Sequence, residues 1–338
     1  MEQKQRHEIS PEQIVLDTFA FCRTRVLSTA VDLELFTHIA QGKKSAEELA
    51  QVTETNSRGL KMVLDTLCAM GYLHKSNGRY ELTPLSRFFL VKGKKMYYGE
   101  YVKHVDLSWE PWFKLTEVLK TGKPSLPSGT EQDGGFNYYK ELVPLLFRTT
   151  HLVAAGAAKA LGIGTQLKGL KIMDVGTGSG AWGIALAQAD PSCHIYGVDD
   201  ALVLEQTRRH AEQMGVINQF HFLPTNVEED PLGDHEYDMA ILSYVCHGEG
   251  ERKSKIIISK IYKALKTNGR LVICELCPDE EREKDFFTLV FGVNMLIHTT
   301  EGNTFTISEY TSWLKDAGFK NVATIDIPAT SPLIVGTK

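Results

Sequence analysis

Residues 170–183 constrain the chain more than any other stretch. Leu170-Lys171-Ile172-Met173-Asp174-Val175 is an apolar run that carries a carboxylate near its end. Gly176, Gly178 and Gly180 then alternate with Thr177 and Ser179, and Ile184, Leu186 and Ala187 open a helical pattern. The order is strand, tight turn, helix. Glycine belongs where the backbone must adopt open φ values or let a ligand touch the main chain. The helix behind such a turn offers free N–H groups to a polar ligand. The stretch reads as the first βα turn of a nucleotide-type site in a doubly wound α/β sheet.

Gly178-x-Gly180-x-x-Gly183 satisfies a dinucleotide fingerprint, which is weak when it stands alone. Asp174 shifts the reading. A carboxylate ahead of the first glycine would repel a pyrophosphate and suits a cationic ligand, such as an amino-acid ammonium. The pattern Asp-x-Gly-x-Gly-x-Gly resembles motif I of the class I methyltransferases, which bind S-adenosyl-L-methionine (SAM). A nicotinamide-dependent oxidoreductase stays as the rival, and titration with SAM and with NAD separates the two.

The C-terminal half alternates strand and helix patterns. His194–Asp199, 219–223, Tyr237–Ser243 and 270–275 read as further strands after the glycine turn, with 320–326 and 331–336 closing the chain. The short link between the last two cannot make a parallel crossover, so that pair must be antiparallel. A parallel sheet ending in an antiparallel hairpin resembles the Rossmann-like SAM-methyltransferase fold. A dehydrogenase would continue into a second parallel half.

The N-terminal part is helical, then winged. Ile14, Val15, Thr18, Phe19 and Phe21 suggest one helix, and Val26, Ala30, Leu33, Leu35 and Phe36 a second. Ser45-Ala46-Glu47-Glu48 predicts a capping box. Asn56-Ser57 predicts the cap of a helix with Leu60, Val63, Leu64 and Leu67 on one face. Residues 72–74 and 79–82, joined across Ser76-Asn77-Gly78, predict a hairpin. A winged helix can bind DNA, and a SAM-sensing regulator is a second rival. The would-be recognition helix offers only Arg58 and Lys61, and the net charge is −5. Phosphate tracking needs more positive charge. Dimerisation is the expected role, with no nucleic-acid partner.

The expected organisation is a winged-helix dimerisation domain over 1–100, connecting helices that contribute to the substrate pocket over 101–168, and a SAM-binding domain over 169–338. Trp109, Trp112, Phe113, Leu115 and Leu119 form an apolar stripe expected in the core, and Gly122–Gly135 reads as a loop. No signal peptide or membrane span is visible, and the six cysteines lie in apolar context. A cytoplasmic, soluble protein is expected. Cys274 and Cys277 form a CxxC with no second pair, read as packed and inert. His247, Glu249 and Glu251 lack a His/Cys cluster, so no metal is expected.

The chain resembles the dimerising plant and bacterial small-molecule O-methyltransferases, of the caffeate and hydroxyindole type, over nearly its whole length. By that resemblance Asp174 and the backbone of Gly176, Gly178 and Gly180 hold SAM, and Asp199 takes the ribose. Asn226-Val227 stands where the family carries an Asp-hydrophobic pair around the adenine, and the Asn carbonyl can still accept from the adenine amino group. Ser243 is a further cofactor-side position. His247 lies in Ser243-Tyr244-Val245-Cys246-His247-Gly248-Glu249, matching a Cys-His-Asp-Trp context whose Asp-Trp is here Gly-Glu. It is the implied general base, and Glu275 the carboxylate that holds it. Matching also implies Phe147, His151, Tyr139, Met295 and Thr299 along the acceptor. His151 stands where a Met is usual, which suggests a more polar acceptor.

One departure concerns the base. The family's second acidic residue falls on Thr304, and Glu301 is the nearest substitute. An incomplete deprotonation site also admits an S-methyltransferase, because a thioether has no proton to lose. Bacterial enzymes resembling this family methylate the sulfur of 4-methylthio-2-hydroxybutyrate.

Overall fold

The computed structural model describes residues 10–94, 96–125 and 133–338, and of 133–141, 143–145 and 148 the backbone alone. The chain divides into two compact units, Met1–Ser108 and Trp109–Lys338.

The first unit opens with helices Glu12–Thr18, Ala20–Asp32, Leu35–Ala40, Ala46–Val52 and Ser57–Ala69. The capping box forms as expected: Ser45 Oγ accepts from the Glu48 N–H, and Glu48 returns a carboxylate oxygen to the Ser45 N–H. Asn56 caps the following helix by accepting from the Gly59 N–H at 3.1 Å. Leu60, Leu64 and Leu67 then face inward against Leu35, Phe36 and Leu49. Strands β1 (Leu73–Ser76) and β2 (Arg79–Leu82) pair antiparallel with Ser76 opposite Arg79. Asn77 and Gly78 between them have φ of 49° and 74°, the two left-handed positions that a tight hairpin turn requires.

The second unit is built on a seven-stranded sheet. Its strands are β3 (Lys171–Val175), β4 (His194–Asp199), β5 (Phe220–Pro224), β6 (Tyr237–Ser243), β7 (Leu265–Cys274), β8 (Lys320–Ile325) and β9 (Leu333–Thr337). The order is β5-β4-β3-β6-β7-β9-β8. The five strands from β5 to β7 are parallel, and β9 runs antiparallel to both of its neighbours. The methyltransferase-type α/β sheet and its antiparallel close are therefore present. The predicted strands stand, with ends shifted by a few residues. β7 begins earlier than its apolar core, at Leu265.

One sheet face buries Ile172, Trp182, Ile184, Ile241 and Val272 with Ala154, Ala157 and Ala158 of the helix Asp133–Ala160. The other buries Met173, Val198, Leu242 and Ile273 with Ile257 and Ile261 of the helix Cys246–Ala264 and Trp313 and Leu314 of the helix Ile307–Asp316. Strand order reverses about β3, so the segments leaving the C-terminal ends of β3, β4 and β6 border the crevice where such sheets bind ligands.

One expectation of the core is corrected. The stripe from Trp109 to Leu119 breaks, because one helix ends at Phe113 and the next starts at Leu115. Phe113 is 83% exposed and Leu119 67%. Among the described residues no helix is long and apolar enough to cross a membrane.

Candidate active site

The glycine turn is held by two carboxylates. Asp174, near the end of β3, is 1% exposed. Its Oδ2 accepts from the Thr177 hydroxyl at 2.8 Å and from the Gly183 N–H at 3.0 Å. Burial pushes its carboxyl up to about 6, against the lowering by these two donors. A neutral hydroxyl and an amide compensate a buried charge only in part. Gly176 has φ of 66°, and a Cβ there would lie 2.5 Å from Val245 Cγ2. Gly178 has φ of 52°, and a Cβ there would meet only the Gly176 carbonyl oxygen, at 3.9 Å, while its own carbonyl accepts from the Thr207 hydroxyl at 2.7 Å. Gly183 sits one turn into the helix Ala181–Ala189. A Cβ there would lie 2.7 Å from Ile195 and 3.0 Å from Asp174 Oδ2, so its glycine serves packing.

Asp199 ends β4, and its Oδ2 accepts from the Gly178 N–H at 2.8 Å. Its other oxygen accepts from the Asp200 N–H. Burial pushes this carboxyl to about 6, and the Asp174 charge adds to the shift. Asp200 turns away and caps the helix Ala201–Gln213 through the Leu202 N–H. Of the two adjacent carboxylates, the structure brings Asp199 to the glycine turn.

Past β5, Asn226 begins a tight turn to Asp230. Its side-chain carbonyl accepts from the Glu228 N–H at 3.0 Å and the Glu229 N–H at 3.3 Å. That oxygen, which sequence reading offers to an adenine amino group, is engaged in closing its own turn. The side-chain amide N–H groups are what Asn226 presents outward. Val227 packs against the core beside it. Ser243 is buried at the end of β6.

The segment after β6 turns sharply. Tyr244 has φ of 55°, uncommon for a side chain of that size. The turn brings two consecutive donors onto one carboxylate. Cys246 N–H donates to Glu275 Oε1 at 2.8 Å, and His247 Nδ1 meets Glu275 Oε2 at 2.7 Å. Glu275 follows β7 and is 2% exposed, and His247 is 8% exposed. A carboxylate only accepts, so Nδ1 carries the proton and Nε2 keeps a lone pair. The ring edge of His247 meets Phe291 at 5.0 Å between centroids, nearly perpendicular. Gly250, with φ of 77°, breaks the helix that starts at Cys246, and a Cβ there would sit 2.4 Å from the Glu301 carbonyl.

The residues implied along the acceptor fall in different places. Met295 is buried on the helix Phe286–His298, which also carries Phe291. Thr299 donates to the Met295 carbonyl and accepts from the Gly302 N–H, so its hydroxyl closes the end of that helix. Phe147 stacks on His151 at 5.5 Å and meets the His210 ring at 4.4 Å. His210 donates from Nδ1 to the Ser179 carbonyl, and His151 Nε2 pairs with Gln188 at 3.1 Å. Phe147 and His151 thus meet residues of the helices Ala181–Ala189 and Ala201–Gln213 that flank the glycine turn. Tyr139 lies in the helix Asp133–Ala160, and its side chain is outside the described residues. Thr304 is buried. Glu301 is exposed and lies 3.4 Å from Arg252. The segment between them is tied to the base through the Asn303 N–H and the His247 carbonyl at 2.9 Å.

Sequence reasoning missed Thr177, the Cys246 N–H, Tyr244 and Phe291. Thr177 stands three residues past Asp174 and had a local signal. The other three come together only through the turn after β6. Cys274 and Cys277 are free, and burial pushes both thiols up to about 12, which leaves them protonated and inert. Among the described residues no group of three His, Cys, Asp or Glu is placed to hold a metal.

Comparison with known proteins agrees with this architecture. An O-methyltransferase dimerisation domain matches residues 17–92. The tetracenomycin polyketide synthesis 8-O-methyl transferase of Streptomyces glaucescens is 29% identical, over 98% of both chains. The 3-hydroxy-5-methyl-1-naphthoate 3-O-methyltransferase of Streptomyces sahachiroi is 30% identical, over 94% of this chain and 92% of that protein. An O-methyltransferase crystal structure from Nostoc punctiforme superposes with a TM-score of 0.86 at 28% identity, over 98% of this chain and 100% of that one. An O-methyltransferase domain matches residues 149–320, and the chain belongs to the family of SAM-dependent O-methyltransferases.

Proposed function

We propose that the chain transfers the SAM methyl group to a hydroxyl of a small aromatic acceptor, with His247 as general base. The observation that carries this reading is the contact of His247 Nδ1 with Glu275 Oε2 at 2.7 Å. It fixes the tautomer that leaves Nε2 basic, and a buried carboxylate stabilises the imidazolium that forms on proton uptake.

The cofactor fits the residues present. SAM supplies an electrophilic methyl on a sulfonium, beside an amino-acid ammonium and a ribose. Asp174 and Asp199 are two under-compensated carboxylates flanking a glycine turn without side chains, a set of acceptors that suits cationic and hydroxyl-bearing groups and opposes a pyrophosphate. In this reading Asp199 accepts from the ribose, the Asn226–Val227 turn borders the adenine, and Ser243 lines the cofactor side. His247 takes the acceptor proton at Nε2 while Phe291 shields the ring from water. The relative that methylates a hydroxynaphthoate supports an aromatic acceptor. Ile14, Leu16, Phe19 and Phe21 expose a large apolar surface in the first helices, which supports a homodimer formed through the N-terminal unit.

One observation favours a second reading. Thr304 stands where a second acid is expected, and Glu301 is ion-paired with Arg252. A single carboxylate behind the base suffices for a thioether acceptor, which loses no proton. His247→Ala separates the readings. A hydroxyl methylase loses about 10²–10⁴-fold in kcat, with SAM affinity retained. A thioether methylase loses only a few-fold.

A further inference from the structure

The turn Asn226–Asp230 is gripped from outside by the helix Cys246–Ala264. Lys260 Nζ lies 3.3 Å from the Val227 carbonyl, 2.5 Å from that of Glu228 and 2.9 Å from that of Asp230. An ammonium has three N–H donors, and here three backbone carbonyls of one turn receive them. Lys253, seven residues earlier and so on the same helical face, pairs with the Glu228 carboxylate at 2.9 Å. Ile257 lies between the two lysines along that face and is fully buried in the core that Val227 packs against. Arg252 reaches the same Glu228 carboxylate at 3.4 Å, so the turn is anchored by apolar packing and by three cations of one helix.

The internal bonds of the turn set its shape but not its place. The Asn226 carbonyls close on Glu228, Glu229 and Asp230, all within the turn. Its position above the end of β5 depends on contacts from outside. Of these, the Lys260 contacts go to main-chain atoms, so they fix the backbone itself.

We infer that Lys260 is the positioning residue for the adenine-side turn, holding Asn226 and Val227 against the base so that the free Asn226 amide N–H donates to the N1 acceptor of the adenine. The inference rests on the proposed adenine role of Asn226 and Val227. Lysine suits the task better than arginine, whose planar fork cannot converge on three carbonyls around one point. Methionine at this position keeps the apolar stem and removes all three donors.

The test compares S-adenosyl-L-homocysteine with S-inosyl-L-homocysteine, whose base replaces the N1 acceptor by an N1–H donor and the 6-amino group by a carbonyl. Calorimetry on the full chain gives both affinities for wild type, Lys260→Met, Lys260→Gln and Asn226→Ala, with melting curves confirming a folded protein. The expected result for Lys260→Met is about a 10-fold loss for the adenosyl ligand and little change for the inosyl one, so that discrimination collapses. Lys260→Gln, which restores two donors, should recover part of it and keeps the test open if the methionine variant does not fold. KM for SAM should rise while kcat and the acceptor KM hold. Should Asn226→Ala abolish discrimination while Lys260→Met preserves it, the role of Lys260 is overturned and the turn's role stands. Should neither variant change the ratio, the adenine role of the turn fails, and the inference fails with it. Equal weakening of both ligands by Lys260→Met would also overturn it, as a loss of general structure.

Discussion

Glu275 and Asp174 are both buried carboxylates at the ligand-binding edge of one sheet, and they are compensated differently. Glu275 meets a histidine ring nitrogen and a backbone N–H, one per oxygen. Asp174 meets a threonine hydroxyl and a glycine N–H on a single oxygen, and burial still pushes it to about 6. The first is matched inside the fold. The second is matched by neutral groups, which leaves an attraction for a cation. The difference separates two tasks: Glu275 orients a protein group, whereas Asp174 is suited to answer the charge of a ligand.

The comparison breaks first at the base. His247→Ala should lower the methylation rate about 10²–10⁴-fold while S-adenosyl-L-homocysteine affinity stays within a factor of two or so. Single-turnover kinetics beside calorimetry checks both, and a parallel loss of cofactor affinity would merge the two tasks. Asp174→Asn should do the reverse, weakening S-adenosyl-L-homocysteine about 10–100-fold with a smaller effect on kcat at saturation.

The same substitution has a stability signature. The folded value of Asp174 lies above its ordinary 3.8, so ionisation favours the unfolded chain. Wild-type stability should fall as pH rises from about 4 to about 6 on this account and stay lower above that. Asp174→Asn removes the effect and should stabilise the free protein by about 2–3 kcal/mol at pH 8 and by little at pH 4. Denaturant melts at both pH values check the sign. A variant that is less stable at pH 8 would show that the charge is better compensated than its surroundings suggest.

A pH titration sharpens the contrast further. Asp174 and Asp199 both sit near 6, so cofactor affinity should fall about 10-fold or more between pH 8 and pH 5 as they protonate. Calorimetry across that range checks it, and Asp174→Asn should flatten part of the slope. The smallest effect belongs to His151. It packs on Phe147 and Gln188 beside the glycine turn, so His151→Met should change the ranking of carboxylate-bearing against neutral phenols by only a few-fold. A ranking that inverts would put His151 against the acceptor.

The chain order of apolar runs, carboxylates and glycines determined the α/β sheet, the glycine turn and the antiparallel close, whereas the choice of Asp199 over Asp200 at that turn was made by the fold. These depend on period, turn chemistry and sequence-local spacing, which a single strand–turn–helix unit already carries. Ser45 and Asn56 were legible as caps for the same reason. The convergence of Cys246 N–H, His247 and Phe291 was not legible, because it requires the left-handed turn at Tyr244 and a helix some forty residues later in the chain. Nor was the commitment of the Asn226 carbonyl and the Thr299 hydroxyl to their own turns. Residue type says what a group can bond, and only the folded backbone decides which partner reaches it first. The apolar stripe at 109–119 failed for a related reason: it is split between two short helices that meet at Lys114, and each leaves one of its apolar side chains, Phe113 and Leu119, outside the core.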